Sequence, residues 1–221
     1  MSKLVAAIDG PAGSGKSSVS KQVAKELGWG YLDTGAAYRA LTWATQHLTG
    51  FAIDSLPLMD LRTEFAYAIS TNPEDYWVRI GDHDVTEAIR ETSVAEAVSA
   101  VARVPEVRSY MLWLTRNLTE NCDRPGIVVE GRDITTVVLP DAPIRLLLTA
   151  SEEVRLKRRS ADVGATNLSE VARQVSHRDA SDAKVVDFMN PAEGVTLVDS
   201  SDLNLAQTVA AVRAEIAKVT N

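Results

Sequence analysis

The segment Gly10-Pro11-Ala12-Gly13-Ser14-Gly15-Lys16-Ser17 carries the residue types and spacing needed to hold a chain of phosphates. Glycines let successive backbone N–H groups face anionic oxygens with no Cβ in the way, and the lysine behind them reaches further along the phosphates. Lys16 is therefore the expected catalytic cation, at the β- and γ-phosphates of a nucleoside triphosphate such as ATP. The Ser17 hydroxyl is the expected protein ligand of Mg²⁺, and Ser18 completes the set of loop residues expected to touch the triphosphate.

That chemistry needs a buried strand before the loop and a helix after it. The apolar run Leu4-Val5-Ala6-Ala7-Ile8 precedes the loop directly, and Val19, Val23 and Leu27 follow it at the spacing of one apolar helix face. Further apolar runs at Ile127 to Val129, Ile144 to Leu148 and Val195 to Val198, with a shorter one at Tyr31-Leu32, predict strands buried on both faces with helices between them. The class is α/β, with a central parallel sheet between two helical layers. Leu205, Val209, Val212, Ile216 and Val219 step by 4, 3, 4 and 3 residues, the pattern of a closing amphipathic helix.

Two stretches break the rhythm. Residues about 51–90 hold Pro57, Pro73, Gly81 and the β-like run Tyr76-Trp77-Val78-Arg79-Ile80, which suggests a small insertion on the substrate side. Residues about 155–184 concentrate Arg155, Lys157, Arg158, Arg159, Arg173, Arg178 and Lys184 in a chain whose net charge is −7. Lys157 and Arg173 read as a solvated helix face, and the remaining cluster as a closure over phosphates.

Bulk properties narrow the class further. The chain has 221 residues, 45% of them hydrophobic, enough for one substantial core. The acidic balance argues against a protein that coats nucleic acid, so any phosphate site must be a local basic cluster. Cys122 is the single cysteine, which excludes an intramolecular disulfide and fits a reducing compartment. Met1-Ser2-Lys3 runs straight into the first strand and no apolar stretch reaches membrane-spanning length, so a cytoplasmic location is expected. His47, His83 and His177 share no ligand spacing, and Trp29, Trp43, Trp77 and Trp113 are expected to serve the core, with lining of the insertion as the alternative for Trp77.

What separates a kinase from other nucleotide binders lies at two strand ends. Asp33-Thr34-Gly35-Ala36-Ala37-Tyr38-Arg39 closes the second strand and Glu130-Gly131-Arg132-Asp133 the third, both on the rim that carries the phosphate loop. No Asn-Lys-x-Asp segment of the guanine-reading kind is present, nor an apolar strand ending in paired Asp-Glu. Arg39, Arg108 and Arg132 offer planar forks suited to a phosphate acceptor. Arg116, eight residues beyond Arg108, could lean to the same side or form a surface ion pair.

With these segments the chain resembles the bacterial-type cytidylate kinases, members of the P-loop nucleoside monophosphate kinases, over nearly its whole length. Further matching segments are Ile89-Arg90, Val94, Ser99, Val101-Ala102, Pro105 and Val107-Arg108, then Gly131-Arg132-Asp133, Thr136-Val137-Val138, Pro140 and Ala142. The resemblance implies one domain with a P-loop NTPase three-layer fold. Its core would span about 1–50, 91–155 and 185–221, its NMP-binding insertion about 51–90 and its mobile helical lid about 156–184. It implies ATP-dependent phosphorylation of CMP and dCMP with Mg²⁺, in pyrimidine nucleotide metabolism, by a monomer with neither nucleic acid nor membrane as partner. Thr34, Tyr38, Arg39, Ser99, Arg108, Arg132, Asp133, Arg178 and Asp182 would contact the acceptor, while Arg132, Arg158 and Arg178 would neutralise the transferring group. Asp133 can accept from the cytosine amino group or from a ribose hydroxyl.

The chain departs from that pattern at Val185, where the last lid arginine would stand and for which Lys184 could substitute, and at Thr135, where glycine is usual. Two alternatives stay open at this point: a kinase of the same architecture acting on another acceptor, and a sensor that binds ATP and CMP without efficient transfer.

Overall fold

The computed structural model describes residues 3–162 and 189–220. Strand β1 (Leu4–Asp9) runs through the phosphate loop into α1 (Lys16–Leu27), and β2 (Gly30–Asp33) runs directly into α2 (Thr34–His47). A 3-10 segment at Ile53–Leu58 and the short α3 (Leu61–Glu64) lead into β3 (Tyr67–Ile69), β4 (Val78–Ile80) and β5 (His83–Asp84). The chain continues through α4 (Thr92–Ala102), α5 (Pro105–Glu120), β6 (Gly126–Gly131), a π-helical turn at Ile134–Val138, β7 (Ile144–Thr149) and α6 (Glu152–Asp162). It ends in β8 (Thr196–Asp199) and α7 (Leu205–Thr220).

Five strands form one parallel sheet in the order β2-β6-β1-β7-β8, so the strand that feeds the phosphate loop is central. Its alternation covers both faces. Ala6 and Ile8 of β1 and Val128 of β6 pack with Val19 and Val23 of α1 and with Val209, Val212 and Ile216 of α7. Ala7, Ile127 and Val129 point the other way, onto Ala40 and Leu41 of α2 and Val107 and Met111 of α5. Because side chains alternate with period two, a one-residue register slip would exchange these layers, so the burial pattern specifies the pairing.

The strands stand where the apolar runs predict them, and the three-layer class follows, but β8, expected to be buried on both faces, is an edge strand that buries only Val198. Within 51–90 a second, antiparallel sheet forms in the order β3-β4-β5, with β4 opening at Val78, two residues into the run expected from Tyr76. Leu56, Phe65, Ile69, Val78, Ile80 and Ile89 join the same buried cluster as α2 and α5, so this segment shares the core. It also covers the edge of the large sheet, where the Tyr31 N–H donates to the Thr71 carbonyl at 2.9 Å.

Two packing expectations need correction. Of the face predicted for the last helix, Val209, Val212 and Ile216 are buried, but Leu205 and Val219 remain 52% and 49% exposed. A 16-residue helix is about 24 Å long and overhangs β8, which extends about 13 Å. Of the tryptophans expected in the core, Trp29 is buried and Trp43 and Trp113 pack half-buried against the core, so the correction concerns Trp77, half-buried but in neither core cluster. The others are half-covered: Trp113 carries Arg62 over its ring at 4.5 Å, Trp77 carries Arg79 at 4.8 Å, and Trp43 stacks on His47 at 4.7 Å. Cys122 is buried just after α5, and among the described residues no helix is long and apolar enough to cross a membrane.

Gly126, the first residue of β6, lies against Trp29: a Cβ there would sit 2.5 Å from ring atoms of that buried side chain. Gly126→Ala is expected to destabilise the protein by about 1–3 kcal/mol, seen as a lower urea midpoint with unchanged slope. An unchanged midpoint would show that the ring can move aside.

Candidate active site

The parallel register brings the strand ends level, with Asp9 opposite Gly131 and Asp33 opposite Glu130. Everything that follows a strand on this rim converges. The phosphate loop crosses it so closely that a Cβ on Gly10 would meet the Leu148 carbonyl oxygen at 2.0 Å. Gly13 has φ of 75°, and a Cβ there would lie 2.5 Å from the Arg155 carbonyl oxygen, so both positions require glycine.

Four loop carbonyls are each held by a cationic side chain. Lys16 Nζ donates to Pro11 O at 3.0 Å, Arg132 Nη1 to Gly10 O at 2.6 Å, Arg155 Nη1 to Ala12 O at 3.0 Å and Arg158 Nη1 to Ser14 O at 3.2 Å. Asp9, at the last position of β1, accepts from the Ile134 and Thr135 amides at 2.9 and 2.8 Å and from the Thr135 hydroxyl at 2.6 Å. Burial holds its carboxyl above the ordinary value, and the Thr135 and Ile134 hydrogen bonds work against that rise.

Glu130 is 3% exposed at the end of β6. It accepts from the Tyr31 hydroxyl at 2.5 Å and from the Ser17 side chain. Burial first, and the Asp33 charge second, push its carboxyl up, while Lys16 pulls it down. The sequence reading sought a paired Asp-Glu at a strand end and passed over this single acid. The available signal was its place as the last side chain of an apolar strand beside the phosphate-loop strand.

On the acceptor side, Asp33 caps α2 by accepting from the Ala36 amide at 3.1 Å and binds Arg39 Nη2 at 2.7 Å. Burial raises the Asp33 carboxyl, but Arg39 outweighs it with help from Arg90 and the cap, and the net position is below the ordinary value. Arg108 Nη2 meets Asp133 Oδ2 at 3.1 Å. The Tyr38 phenol is pushed up to about 12 by burial and by the Asp133 charge, so it stays a neutral hydroxyl at physiological pH. The Thr34 hydroxyl donates to the Glu130 carbonyl at 2.8 Å and ties the two strand ends together.

These residues surround one cleft of about 520 Å³. Of the residues singled out from sequence, it brings together Ala12, Gly13, Gly15, Lys16, Ser17, Ser18, Thr34, Tyr38, Arg39, Ser99, Arg108, Arg132 and Asp133. Gly10, Pro11 and Ser14 are not among its lining residues, and Ser14 is 1% exposed. Arg158 does not line it either. Its guanidinium is bonded to Ser14 O, to Ser200 Oγ and O at 2.9 and 2.8 Å, and to Leu203 O at 3.0 Å, while its neighbour Arg159 lines the cleft. Arg116 donates to Val138 O at 2.8 Å and Val137 O at 3.3 Å, so it closes the π-helical turn. Arg178 and Asp182, together with Arg173, His177, Lys184 and Val185, lie outside the described residues.

Arg159, expected as part of the basic cluster that closes over phosphates, lines the cleft, as do Arg90, marked in the sequence only as a matching motif residue, and Arg103, to which the sequence assigns no role. Lys16 and six arginines thus face three carboxylates in a chain of net charge −7, a concentration of positive charge suited to two polyanions.

A parallel sheet of this order, whose central strand feeds a glycine-rich phosphate loop, defines an α/β protein of the P-loop NTPase class. The solved structure of TT1252 from Thermus thermophilus superposes with a TM-score of 0.50 at 18% identity, each chain covered to 100%, a likeness of fold alone. Sequence comparison goes further. The family model for cytidylate kinase matches residues 6–218. The cytidylate kinase of Cutibacterium acnes is 44% identical over 218 residues, covering 96% of this chain and 95% of that protein. The cytidylate kinase of Rhodococcus opacus is 41% identical over 220 residues, covering 94% and 92%. The chain belongs to the cytidylate kinase family.

Proposed function

We propose that this protein transfers the γ-phosphoryl group of ATP to the phosphate of CMP and dCMP, giving ADP and the corresponding diphosphate. The observation that carries this reading is the arginine-lined cleft in which the phosphate loop and Arg39, Arg108 and Arg132 converge. A donor and an acceptor held there would have their phosphates in line without any covalent step on the protein. Lys16 and the loop amides hold the donor. Arg132 and Arg159 face the same space and neutralise charge on the transferring group, with Arg178 as a further candidate. Arg158, fully engaged with the loop and with residues 200–203, acts by bracing the donor side.

On the acceptor side Tyr38, Arg39 and Arg108 hold the monophosphate end, and Ser99 and Asp133 face the nucleoside. We assign the segment 51–90 to acceptor binding because its buried side chains pack on the helix that carries Tyr38 and Arg39. Closure of residues about 156–184 over the phosphates would exclude water and limit wasteful hydrolysis.

Ser17 and Glu130 suit Mg²⁺: they offer hard oxygen donors, and the Ser17 side chain is already bonded to the Glu130 carboxylate. When bound, the ion would neutralise charge on the phosphates.

The test is ADP formation by the purified protein with ATP, Mg²⁺ and each of CMP, dCMP, UMP and AMP, beside a control lacking acceptor. CMP and dCMP are expected to be phosphorylated. UMP should be slower by roughly 5- to 150-fold, because a carboxylate that accepts from the amino group loses its partner, at a cost of about 1–3 kcal/mol. Equal rates with UMP or AMP, or binding of CMP without transfer, would overturn the assignment.

A further inference from the structure

We propose that Thr135 is a positioning residue of the transfer site, whose hydroxyl, bonded to Asp9, locks the acceptor-side segment 132–135 to the strand end that feeds the phosphate loop. The proposal rests on the phosphoryl-transfer reading above. The last register pair between β1 and β6 is Asp9 with Gly131, and beyond it the two chains separate toward donor and acceptor. Two cross-links span that divergence: Arg132 Nη1 to Gly10 O at 2.6 Å, and the Asp9 carboxylate to Ile134 and Thr135. In the second link Asp9 and Thr135 are each 3% exposed and Ile134 1%, so water cannot readily replace a lost partner.

Asp133, which holds Arg108, sits two residues before Thr135 on the same segment. The position of this segment therefore sets where the acceptor-side charges stand relative to the loop. Any residue except proline at 135 supplies the amide bond to Asp9. Only serine or threonine adds the hydroxyl bond, at 2.6 Å the shortest of the three. It is directed at a group whose ionised form burial disfavours, and it is the largest influence opposing that burial. The charged groups nearby are Asp133, which disfavours ionisation of Asp9, Arg132, and Arg145 of β7, which donates to the Thr135 carbonyl at 3.4 Å.

Thr135→Val keeps the shape and removes the hydroxyl, whereas Thr135→Ser keeps the hydroxyl. Misplacement of reacting groups by a fraction of an ångström should lower kcat with CMP by about tenfold in the valine variant, with KM for ATP changed less than about twofold. Without the hydroxyl Asp9 takes up its proton at higher pH, so the acid limb of the kcat profile should also move to higher pH. The serine variant should retain both the rate and the limb.

Thermal melts check the bond independently of acceptor identity. The gap between valine variant and wild type should widen as pH rises, because the hydroxyl bond favours the ionised form of Asp9. Wild-type kcat and pH profile in the valine variant would overturn the proposal. So would equal loss in both variants, or a uniform loss at every pH with no shift of the limb, which is what a merely structural role produces. A wild-type protein that fails to phosphorylate CMP would instead remove the functional reading, leaving the melts to judge the Asp9–Thr135 bond.

Discussion

Lys16→Ala is expected to lower kcat for CMP phosphorylation by about a hundredfold to a thousandfold or more while leaving the protein folded. Lys16 opens α1, is 8% exposed and bonds the Pro11 carbonyl at 3.0 Å, so its ammonium is fixed before any nucleotide arrives. Such a preorganised cation acts where charge develops during transfer, in a cleft where water screens it weakly. The helix does not need the lysine: alanine has the higher helix propensity, and α1 still packs through Val19 and Val23. Steady-state kinetics with CMP, beside a thermal melt of the same preparation, would check both halves. Near-wild-type turnover would refute the role of Lys16. Loss of folding would show that the bond to Pro11 supports the loop structurally.

Arg39→Met should be the most destabilising single change at the acceptor side, costing roughly 3–5 kcal/mol because it leaves Asp33 buried without its partner. In the native protein the Asp33 carboxyl lies below its ordinary value of 3.8, so the ion pair contributes stability that is present above that value and is lost as pH falls through the lower folded value. In the variant the balance reverses. Burial dominates, the Asp33 carboxyl moves up, and the destabilisation should be greatest at neutral pH and shrink in acid as Asp33 takes up a proton.

Adding Asp33→Asn removes the uncompensated charge while an amide oxygen can still cap α2, so the double variant should regain much of the lost stability. It should not regain acceptor binding. If Arg39 holds the monophosphate, KM for CMP stays raised in the double variant. Urea melts from pH 4 to 8 and KM for CMP in the two variants separate these effects. A double variant with wild-type KM would show that Arg39 serves only Asp33.

Local pattern was enough for part of this protein. The strand, loop and helix around Gly10 to Ser17 are contiguous, so their geometry follows from near neighbours: apolar residues for a central strand, glycines for positive φ and close approach, and a four-residue period for α1. The apolar runs likewise marked all five strands of the large sheet: the inner strands are apolar because both faces are covered, whereas the edge strand β8 buries Val198 and leaves Leu197 48% exposed.

Which distant side chains meet was decided by the sheet. Tyr31 and Glu130 are 99 residues apart and Asp9 and Thr135 are 126 apart, and they touch because the order β2-β6-β1 places those strand ends side by side. The choice between Arg158 and Arg159 was equally beyond a linear reading. Adjacent residues on a helix point about 100° apart, and only the docking of α6 turned one toward Ser200 and the other toward the cleft. Residue types and spacing thus determined the phosphate-binding chemistry and the class of fold. Strand order and helix docking, which arise from long-range burial, decided which charges stand in the cleft and which hold its walls.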